Sequence, residues 1–218
     1  MPQVKRESGR AQAAEFSRTA IASAARRLFK ERGYTESTMD AIAAESGYAV
    51  QTVYFHFKSK AAIVARLIDE VLAAQIAPRY KLAMASNSPA EVILLFAAIA
   101  HESCEDGWDV VRTLGVAAKS DPGLAARLSE WEGGYLFGMT NLVRRLGELG
   151  ALRPELEVST AVDIGWTLTS PEVYRLLRVE RGWDGDAYVK WLARALTREL
   201  VGARRRTKPA TVAARGRR

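Results

Sequence analysis

A run of thirteen residues, YAVQTVYFHFKSK from Tyr48 to Lys60, places amide, hydroxyl, imidazole and aromatic side chains next to one another. Drawn as a helix, the run has an apolar side that can enter a small core, formed by Val50, Val53 and Phe57. The opposite side presents Gln51, Thr52 and Phe55, with Tyr54 and His56 on the flanks. Because the segment is short and has polar flanks, we expect a surface helix rather than a central core helix.

The exposed side chains of this run have the chemistry of nucleic-acid recognition. Gln51 can form two hydrogen bonds with an adenine edge, Thr52 can bond a base edge or a phosphate, and Phe55 can touch a thymine methyl group. Tyr54 and His56 can donate hydrogen bonds to phosphates, which set the register of a protein on the duplex. Taken singly, Tyr54 and Phe55 are more typical of a core, and His56 of an ordinary surface. The combination favours contact with DNA.

The segments before this run have the capping and stop residues of helices. An amphipathic helix is predicted over about residues 17 to 32, with Ser17 as its N-cap. A short helix follows in STMDAIAAESG, residues 37 to 47, with Ser37 as its N-cap and a glycine as its stop. Two short helices joined by a tight turn, and braced by a longer helix, predict a helix-turn-helix. The second helix of such a pair lies in the major groove of DNA.

Two further residues lie at the starts of predicted helices in this region. Thr38 opens the short helix and Lys60 opens the helix that follows the aromatic run. Free backbone N–H groups at a helix N-terminus favour an anion, and an ammonium group there adds to the attraction. We therefore expect both residues to bind phosphate.

Helical punctuation continues through the rest of the chain. Predicted helix starts lie at Ser59, at Ser88 in SPAE, at Ser120 to Pro122 in SDP, and after Asp184. A helix over roughly residues 156 to 169 is interrupted at TSPE, Thr169 to Glu172. The pattern predicts an all-α chain of nine or ten helices. It would comprise an N-terminal three-helix helix-turn-helix domain and a larger helical C-terminal domain.

Composition narrows the classes of protein. The chain has 218 residues, 48% of them hydrophobic, and one cysteine, Cys104, which excludes an intramolecular disulfide framework. It has no signal peptide and no apolar run long enough to span a membrane, so we expect a soluble cytoplasmic protein without a membrane partner. His101, Glu102 and Cys104 fall on different helical faces, so we predict no metal site. Without a Gly-rich phosphate loop or a Ser/His/Asp set, we predict no cofactor and no enzymatic activity.

The net charge of +7 is concentrated in the last residues. Residues 202–218 hold seven basic side chains and no acid, and the remainder holds equal numbers of acidic and basic residues. We predict a disordered N-terminal arm over 1–15, a helix-turn-helix domain over 16–65, a helical domain over 66–201 and a basic disordered tail over 202–218. The tail can attract nucleic acid without sequence preference, or can serve only solubility.

Three segments carry a resemblance to a known family. These are LFKERGY, TESTMDAIAAESG and TVYFHFKSKAAI, all within residues 17 to 72, which closely resemble the DNA-binding domain of TetR-type (tetracycline-repressor-like) bacterial transcriptional regulators. The resemblance implies a homodimer with a divergent C-terminal domain that holds the dimer interface and a ligand pocket. It also implies a repressor that leaves a near-palindromic DNA operator when a small apolar or aromatic molecule binds.

Carried onto this sequence, the resemblance implies DNA contacts at Thr38, Gln51, Thr52, Tyr54, His56 and Lys60. The chain departs from the family pattern at Tyr48, where a small aliphatic residue is usual, and this leaves open whether Tyr48 contacts DNA. It also departs at Ala49, where a hydroxyl cap is usual, and at Ala61, where an acid is usual.

The predicted C-terminal domain has two features of its own. The helix from Pro122 and the segment around 156–178 can pair with their copies as a four-helix bundle, giving a two-fold dimer. Aromatic residues cluster in the same region: Trp108, Trp131, Tyr135, Phe137 and Trp166. They can line a ligand pocket or fill a bundle core or dimer interface. Gly133 and Gly134 suggest close helix approach or a kink near such a pocket.

Four functions remain to be weighed on the sequence alone. They are a ligand-responsive repressor, a DNA-binding regulator without a small-molecule effector, a nucleoid-type binder driven by basic segments, and a helical enzyme. The balanced charge of residues 1–201 argues against the nucleoid-type binder. The ligand-responsive repressor is the expected function.

Overall fold

The computed structural model of the chain describes residues 3–73 and 77–202. These residues form the helices α1 (Gln3–Arg32), α2 (Met39–Ser46), α3 (Val50–His56), α4 (Lys60–Ala73), α5 (Ala77–Ala85), α6 (Pro89–Ala117), α7 (Pro122–Glu148), α8 (Val158–Leu168), α9 (Pro171–Tyr174) and α10 (Gly185–Leu200). A π-helical turn, Arg175–Glu180, continues α9. The all-α prediction is confirmed. The predicted basic tail lies outside the described residues, except for its first residue.

Helix α1 is much longer than the sequence pattern predicted. It begins at Gln3, so the predicted helix start at Ser17 is wrong, and residues 3–15 do not form a disordered arm. The Ser17 hydroxyl donates to the Ala13 carbonyl within the helix instead of capping it. The segment before Ser17 is rich in alanine, arginine, glutamine and glutamate, which are strong helix formers. The apolar stripe begins late, and the side chains of residues 11–13, 15 and 16 before it are exposed.

Helix N-caps explain most of the other boundaries. The caps of α4, α6, α7, α9 and α10 are Ser59, Ser88, Asp121, Ser170 and Asp184, each accepting a hydrogen bond from a backbone N–H three residues later. The cap of α2 is Thr38, and the prediction of Ser37 is wrong. Ser37 is fully buried and donates to the Gly33 carbonyl. Side-chain caps of this kind satisfy backbone donors that the helix leaves free.

The first of two cores joins the first four helices to the C-terminal half of α6 and the start of α7. Its most buried members include Ile21 and Phe29 of α1, Ile42 of α2, and Ile63 and Ile68 of α4. The predicted boundary between residues 65 and 66 therefore falls within α4, whose later turns still pack in this core. Leu114 and Leu124 of the larger domain close it from the other side.

The second core lies within the larger domain. Phe96 of α6, Leu142 and Leu146 of α7, and Tyr188 and Leu192 of α10 are buried there. Helix α10 has its four buried residues spaced at i, i+4, i+8 and i+12, which gives it one apolar face against α6. The segment after α7 is tied back by an isolated bridge between Leu152 and Val201.

Among the described helices, none has the length and apolar character needed to cross a lipid bilayer.

Candidate DNA-binding surface and ligand cavity

Helix α3 is set by the glycine turn before it and the core beneath it. Gly47 ends α2 with a φ of 74°, a left-handed conformation that favours glycine. Ala49 is the N-cap of α3 and offers no side-chain hydrogen bond to the helix. Val53 and Phe57 are buried in the first core, and Val50 packs at its edge. These contacts fix which side of α3 faces outward.

The outward side of α3 carries Gln51, Tyr54 and Phe55. The exposed fraction of Phe55 is 74% and that of Tyr54 is 45%, which is high for side chains of this size. Thr52 and His56 are half-buried on the flanks of the helix. Within the described residues, no side-chain hydrogen bond engages any of these polar groups, so their donors and acceptors face solvent. The sequence analysis placed Thr52 on the outer face and Tyr54 on a flank, and the structure exchanges the two.

His56 has the most distinctive surroundings on this surface. Its ring packs edge-on against Phe55, with centroids 5.2 Å apart. Partial burial, reinforced by the positive charge of Arg18 on α1, lowers the pKa of His56. The imidazole is therefore mainly neutral at pH 7 in the free protein, and it sits where an added negative charge would promote its protonation.

Thr38 and Tyr48 flank helix α2 at its two ends. Thr38 is exposed and its Oγ1 accepts a hydrogen bond from the Ala41 N–H, which leaves its hydroxyl hydrogen free to donate outward. Tyr48 is half-buried and packs against the first core. Tyr48 thus has a structural contact that the sequence did not reveal.

Lys60 differs most from its predicted role. Its Nζ donates to the Tyr34 carbonyl at 2.8 Å and to the Thr35 carbonyl at 3.3 Å. The ammonium also lies 4.6 Å from the centroid of the Tyr34 ring, and burial lowers the pKa of Lys60. The side chain therefore points at the loop after α1, where it satisfies backbone oxygens. Lys58, in the same Lys-Ser-Lys segment, is exposed.

A cavity of about 380 Å³ opens between α6, α7 and the α8–α9 segment. All four predicted pocket residues line it: Trp108, Trp131, Tyr135 and Trp166. Trp131 and Tyr135 stack with centroids 5.4 Å apart and planes inclined by 18°. Tyr135 lies 6.3 Å from Trp166, centroid to centroid. Phe137 does not line the cavity; its side chain is 67% exposed on the outside of α7.

Tyr135 joins the two helices that bound the cavity. Its hydroxyl hydrogen-bonds with the Thr169 hydroxyl and donates to the Trp166 carbonyl at 3.1 Å. Burial raises the pKa of Tyr135 well above its ordinary value, so the phenol stays neutral. It contributes a polarised ring and a fixed hydroxyl to the cavity wall.

Charged side chains also line this cavity. The basic ones are Arg112, Lys119 and Arg175, and the acidic ones are Glu132 and Glu172. Arg175 forms an ion pair with Glu180, and the guanidinium of Arg112 lies 5.7 Å from the Trp108 ring centroid. Neither cavity carboxylate forms an ion pair or hydrogen bond with another described residue.

A cluster of polar side chains joins α6 to the π-helical turn. Glu105 of α6 accepts hydrogen bonds from the Tyr174 hydroxyl and from Arg178, and lies 3.4 Å from His101 Nε2. The Tyr174 hydrogen bond, reinforced by Arg178, lowers the pKa of Glu105. Nearby, burial raises the pKa of the Cys104 thiol to about 12, which keeps it protonated. The cluster fixes the π-helical turn on α6.

One turn of α6 joins the cavity to the helix-turn-helix. Trp108 faces the cavity, and its neighbour Asp109 accepts two hydrogen bonds from Arg26 of α1, at 2.7 and 2.9 Å. Gly107 packs so closely on Val71 of α4 that an added Cβ would lie 2.8 Å from the valine Cγ1. The same turn therefore contacts the cavity, α1 and α4.

Gly133 and Gly134 lie on the exposed side of α7. A Cβ added at either position would meet nothing within 4 Å in the chain. Within the described residues, these glycines therefore do not mark a close approach by another helix of the same chain. They share their face of α7 with the exposed side chains of Leu136 and Phe137.

Comparison with known proteins agrees with the fold and with the N-terminal site. Residues 21–67 match the family model for bacterial regulatory proteins of the tetR family. No curated protein sequence matches the chain significantly.

Several solved structures have the same fold. A protein from Saccharomonospora viridis, assigned as a transcriptional regulator and solved with choline, is 18% identical; the match covers 87% of this chain and 100% of that one, with a TM-score of 0.70. The TetR-family regulator PfmR from Thermus thermophilus is 20% identical over 82% and 97% of the two chains, with a TM-score of 0.70. The complex of SmeT with triclosan is 19% identical over 85% and 92%, with a TM-score of 0.61. SmeT is the repressor of the multidrug efflux pump SmeDEF of Stenotrophomonas maltophilia.

The family match falls on the segment that carries α3 and its exposed face, and the solved structures extend the likeness to the larger domain. Residues 21–67 thus match the model of the tetR family of bacterial regulatory proteins, in a chain that has the fold of solved TetR-family transcriptional regulators.

Proposed function

We propose that this DNA-binding transcriptional regulator acts as a dimeric repressor, and that a small molecule in the cavity releases it from a near-palindromic operator. The observation that carries the proposal is the outer face of α3. That face exposes a large aromatic ring and an amide with no partner in the described chain. Such a surface is costly in water unless it serves a contact.

Each exposed group has a distinct part in the proposed complex. Gln51 reads a base through two hydrogen bonds, and Phe55 packs on a thymine methyl group. Thr38, Thr52, Tyr54 and His56 hold phosphates or base edges, with Tyr48 at the rim of the interface. Lys58 replaces Lys60 as the lysine that reaches the backbone, because Lys60 is engaged with carbonyl oxygens.

The proposed dimer uses the outer sides of α7 and α8. Leu136 and Phe137 are exposed on α7 close to the glycines that have open space above them, and Val158 is exposed at the start of α8. A glycine-lined apolar surface lets a second helix approach closely, and pairing it with its copy gives a two-fold axis. Two copies of α3 would then meet DNA about 34–36 Å apart, one helical turn.

The cavity supports an effector of small-molecule size. Its volume of about 380 Å³ falls within the range of ligand pockets, and aromatic walls with a few polar groups are typical of them. Choline and triclosan are bound in two solved proteins of the same fold. The turn of α6 between cavity and α1 gives occupancy a route to the DNA-binding domain.

The test is selection of duplexes from a random pool by the purified full-length protein, at about physiological salt. An enriched inverted repeat is the expected result. A parallel selection with the double variant Gln51→Ala, Phe55→Ala should lose the base preference at matching positions in both half-sites. Enrichment of single half-sites would contradict the dimer. No enrichment, with binding that vanishes as salt rises, would contradict the operator.

A further inference from the structure

We propose that the cavity takes a small organic cation, an ammonium group carried on an apolar or aromatic body. The inference rests on the proposed function, because it names the ligand class of the same cavity. Three features of the described residues lead to it: the aromatic wall, the unpaired carboxylates, and the position of the basic side chains.

The aromatic wall offers ring faces rather than a mere apolar lining. Trp131 and Tyr135 stack, and Trp166 leans against Tyr135 from α8. Trp108 faces them from α6 across the cavity. Ring faces carry a negative quadrupole potential, and tryptophan attracts a cation most strongly. A desolvated ammonium group is therefore attracted to such a wall.

Two carboxylates line the same cavity. Glu132 follows Trp131 on α7 and is one helical turn from Tyr135. Glu172 is at the start of α9, close enough to Tyr135 for its charge to act on the phenol. Since neither carboxylate pairs with a described residue, both are available to a cation in the cavity.

The basic side chains leave the aromatic end open to such a ligand. Arg175 is neutralised by Glu180. Lys119 lies beyond the end of α6, about three turns past Trp108. Arg112 lies over Trp108, and this contact shows that the ring face accepts a cation. Because Arg112 is otherwise exposed, it can move aside when a ligand ammonium takes its place.

Replacing Arg112 distinguishes a cationic ligand from an anionic one. A ligand cation competes with the guanidinium for the Trp108 ring and is repelled by its charge. Arg112→Ala should therefore strengthen the binding of a cation. The same change should weaken the binding of an anion, for which Arg112 would be the partner.

The experiment is calorimetric titration of the full-length protein with three probes of similar shape. They are benzyltrimethylammonium, its uncharged isostere neopentylbenzene, and the anion 3-phenylpropionate. The cation should bind about tenfold or more tightly than the isostere, since cation–π and charge contacts together exceed 1.4 kcal/mol. Glu172→Gln should remove most of that preference, and Arg112→Ala should increase it.

Glu130→Gln is the matched control, because Glu130 lies on α7 but outside the cavity. It should leave all three affinities unchanged. If it lowered the preference for the cation as much as Glu172→Gln does, the preference would be due to net charge alone, and the proposal would be overturned. Equal binding of cation and isostere, tighter binding of the anion, or binding of none of the three would also overturn it. Unfolding midpoints of the variants confirm that they fold.

The outcome is separable from that of the proposed function. Selection of an operator needs no ligand, so an operator with no cation preference would overturn the ligand class alone. Tight, Glu172-dependent cation binding without any release of operator DNA would support the ligand class and contradict the effector mechanism.

Discussion

Lys58 and Lys60 are separated by one residue, yet they meet opposite surroundings. Lys60 donates to two backbone carbonyls after α1, whereas Lys58 is exposed. We expect Lys60→Met to lower the free energy of unfolding by about 1 kcal/mol, because it leaves those carbonyls with water alone. Lys58→Met should leave stability unchanged and weaken DNA binding at every site alike. Urea unfolding and DNA titration of both variants measure the contrast, which a stability loss in Lys58→Met would contradict.

Gln51 and Tyr54 separate base reading from phosphate binding on one helix. Gln51→Ala should relax preference at one or two base pairs, each by about 1–3 kcal/mol. Tyr54→Phe removes only a hydroxyl and should weaken all duplexes to a similar degree. Competition titrations against single-base operator variants distinguish the two. A uniform loss from Gln51→Ala would reassign that side chain to the phosphate backbone.

His56 should make DNA binding depend on pH. Burial and Arg18 lower the pKa of His56 in the free protein, and a phosphate beside it would raise that pKa. Between the two pKa values the complex holds more protons than the free protein, so affinity rises as pH falls. We expect the affinity for DNA to be several-fold higher at pH 6 than at pH 8. Binding should take up about one proton per subunit at most.

His56→Gln is the control for this dependence, since its amide can donate to a phosphate but does not titrate in this range. The variant should bind with a flatter pH profile. An unchanged profile would place the titrating group elsewhere.

At the residue scale, the sequence predicts which side chains are exposed better than it predicts what they contact. The outer positions of Gln51 and Phe55 follow from helical spacing alone, and the structure agrees. Ser37 and Thr38 are adjacent hydroxyls with equal cap propensity, and only the packing of the loop buries one and leaves the other as cap. Lys60 turns inward because carbonyls of a loop twenty-six residues earlier in the chain lie within reach, which no local pattern reveals.

Helices α4 and α6 are in close contact at Gly107. An added Cβ there would lie 2.8 Å from Val71 Cγ1. Gly107→Ala should lower the free energy of unfolding by about 1–3 kcal/mol, because overpacking outweighs the gain expected from alanine in a helix. Gly147→Ala has open space around it and should stabilise by about 0.5–1 kcal/mol. Thermal and urea unfolding compare the two.

The double variant Gly107→Ala, Val71→Ala tests the cause. Removing the valine methyls should recover part of the loss, so that the two changes together cost less than their sum. Additive losses would mean that the close contact is not the reason.

At the element scale, glycine, proline and capping residues predicted most helix boundaries, including the break at Thr169 to Glu172. Two features were not predicted from the sequence. The first half of α1 has residues of high helical propensity but no apolar stripe. Hydrophobic periodicity therefore predicts only the second half of this helix. The π-helical turn at Arg175–Glu180 depends on Arg178 and Tyr174 reaching Glu105 of α6, a contact between distant parts of the chain.

Across the whole molecule, the Arg26–Asp109 ion pair couples the DNA-binding domain to the larger domain. Asp109 is buried, and Arg26 also donates to the Asp106 carbonyl at 2.6 Å. A double-mutant cycle with Arg26→Met and Asp109→Asn should give a coupling energy of about 1–2 kcal/mol, below that of a fully buried pair because Arg26 is partly exposed.

The matched control is the Arg27–Glu45 pair, which lies on the surface of the DNA-binding domain with both partners exposed. Its cycle should give less than about 0.5 kcal/mol. Urea unfolding of the seven proteins, the wild type and three variants for each pair, measures both energies. Equal coupling energies would contradict a special role for the interdomain pair.

The composition of the cavity was predictable at this scale, but its shape was not. Aromatic residues at helical spacing pointed to Trp131 and Tyr135, but for any single one of them that spacing favoured a core or interface position over a pocket. The packing of α6 against α7 and α8 places Trp108 and Trp166 at the cavity and Phe137 outside it. The carboxylates of Glu132 and Glu172 become informative only once the structure shows that they lack partners.

The close contact of Gly107 with Val71 has a consequence for how this protein can change over evolutionary time. A lineage that acquires a side chain at position 107 must also reduce the residue at position 71, or lose the seating of α4 on α6. The two positions should therefore vary together among relatives, glycine with a branched residue and alanine with a smaller one. In an alignment of such relatives, the pair would mark the joint between the domains even where no structure is known.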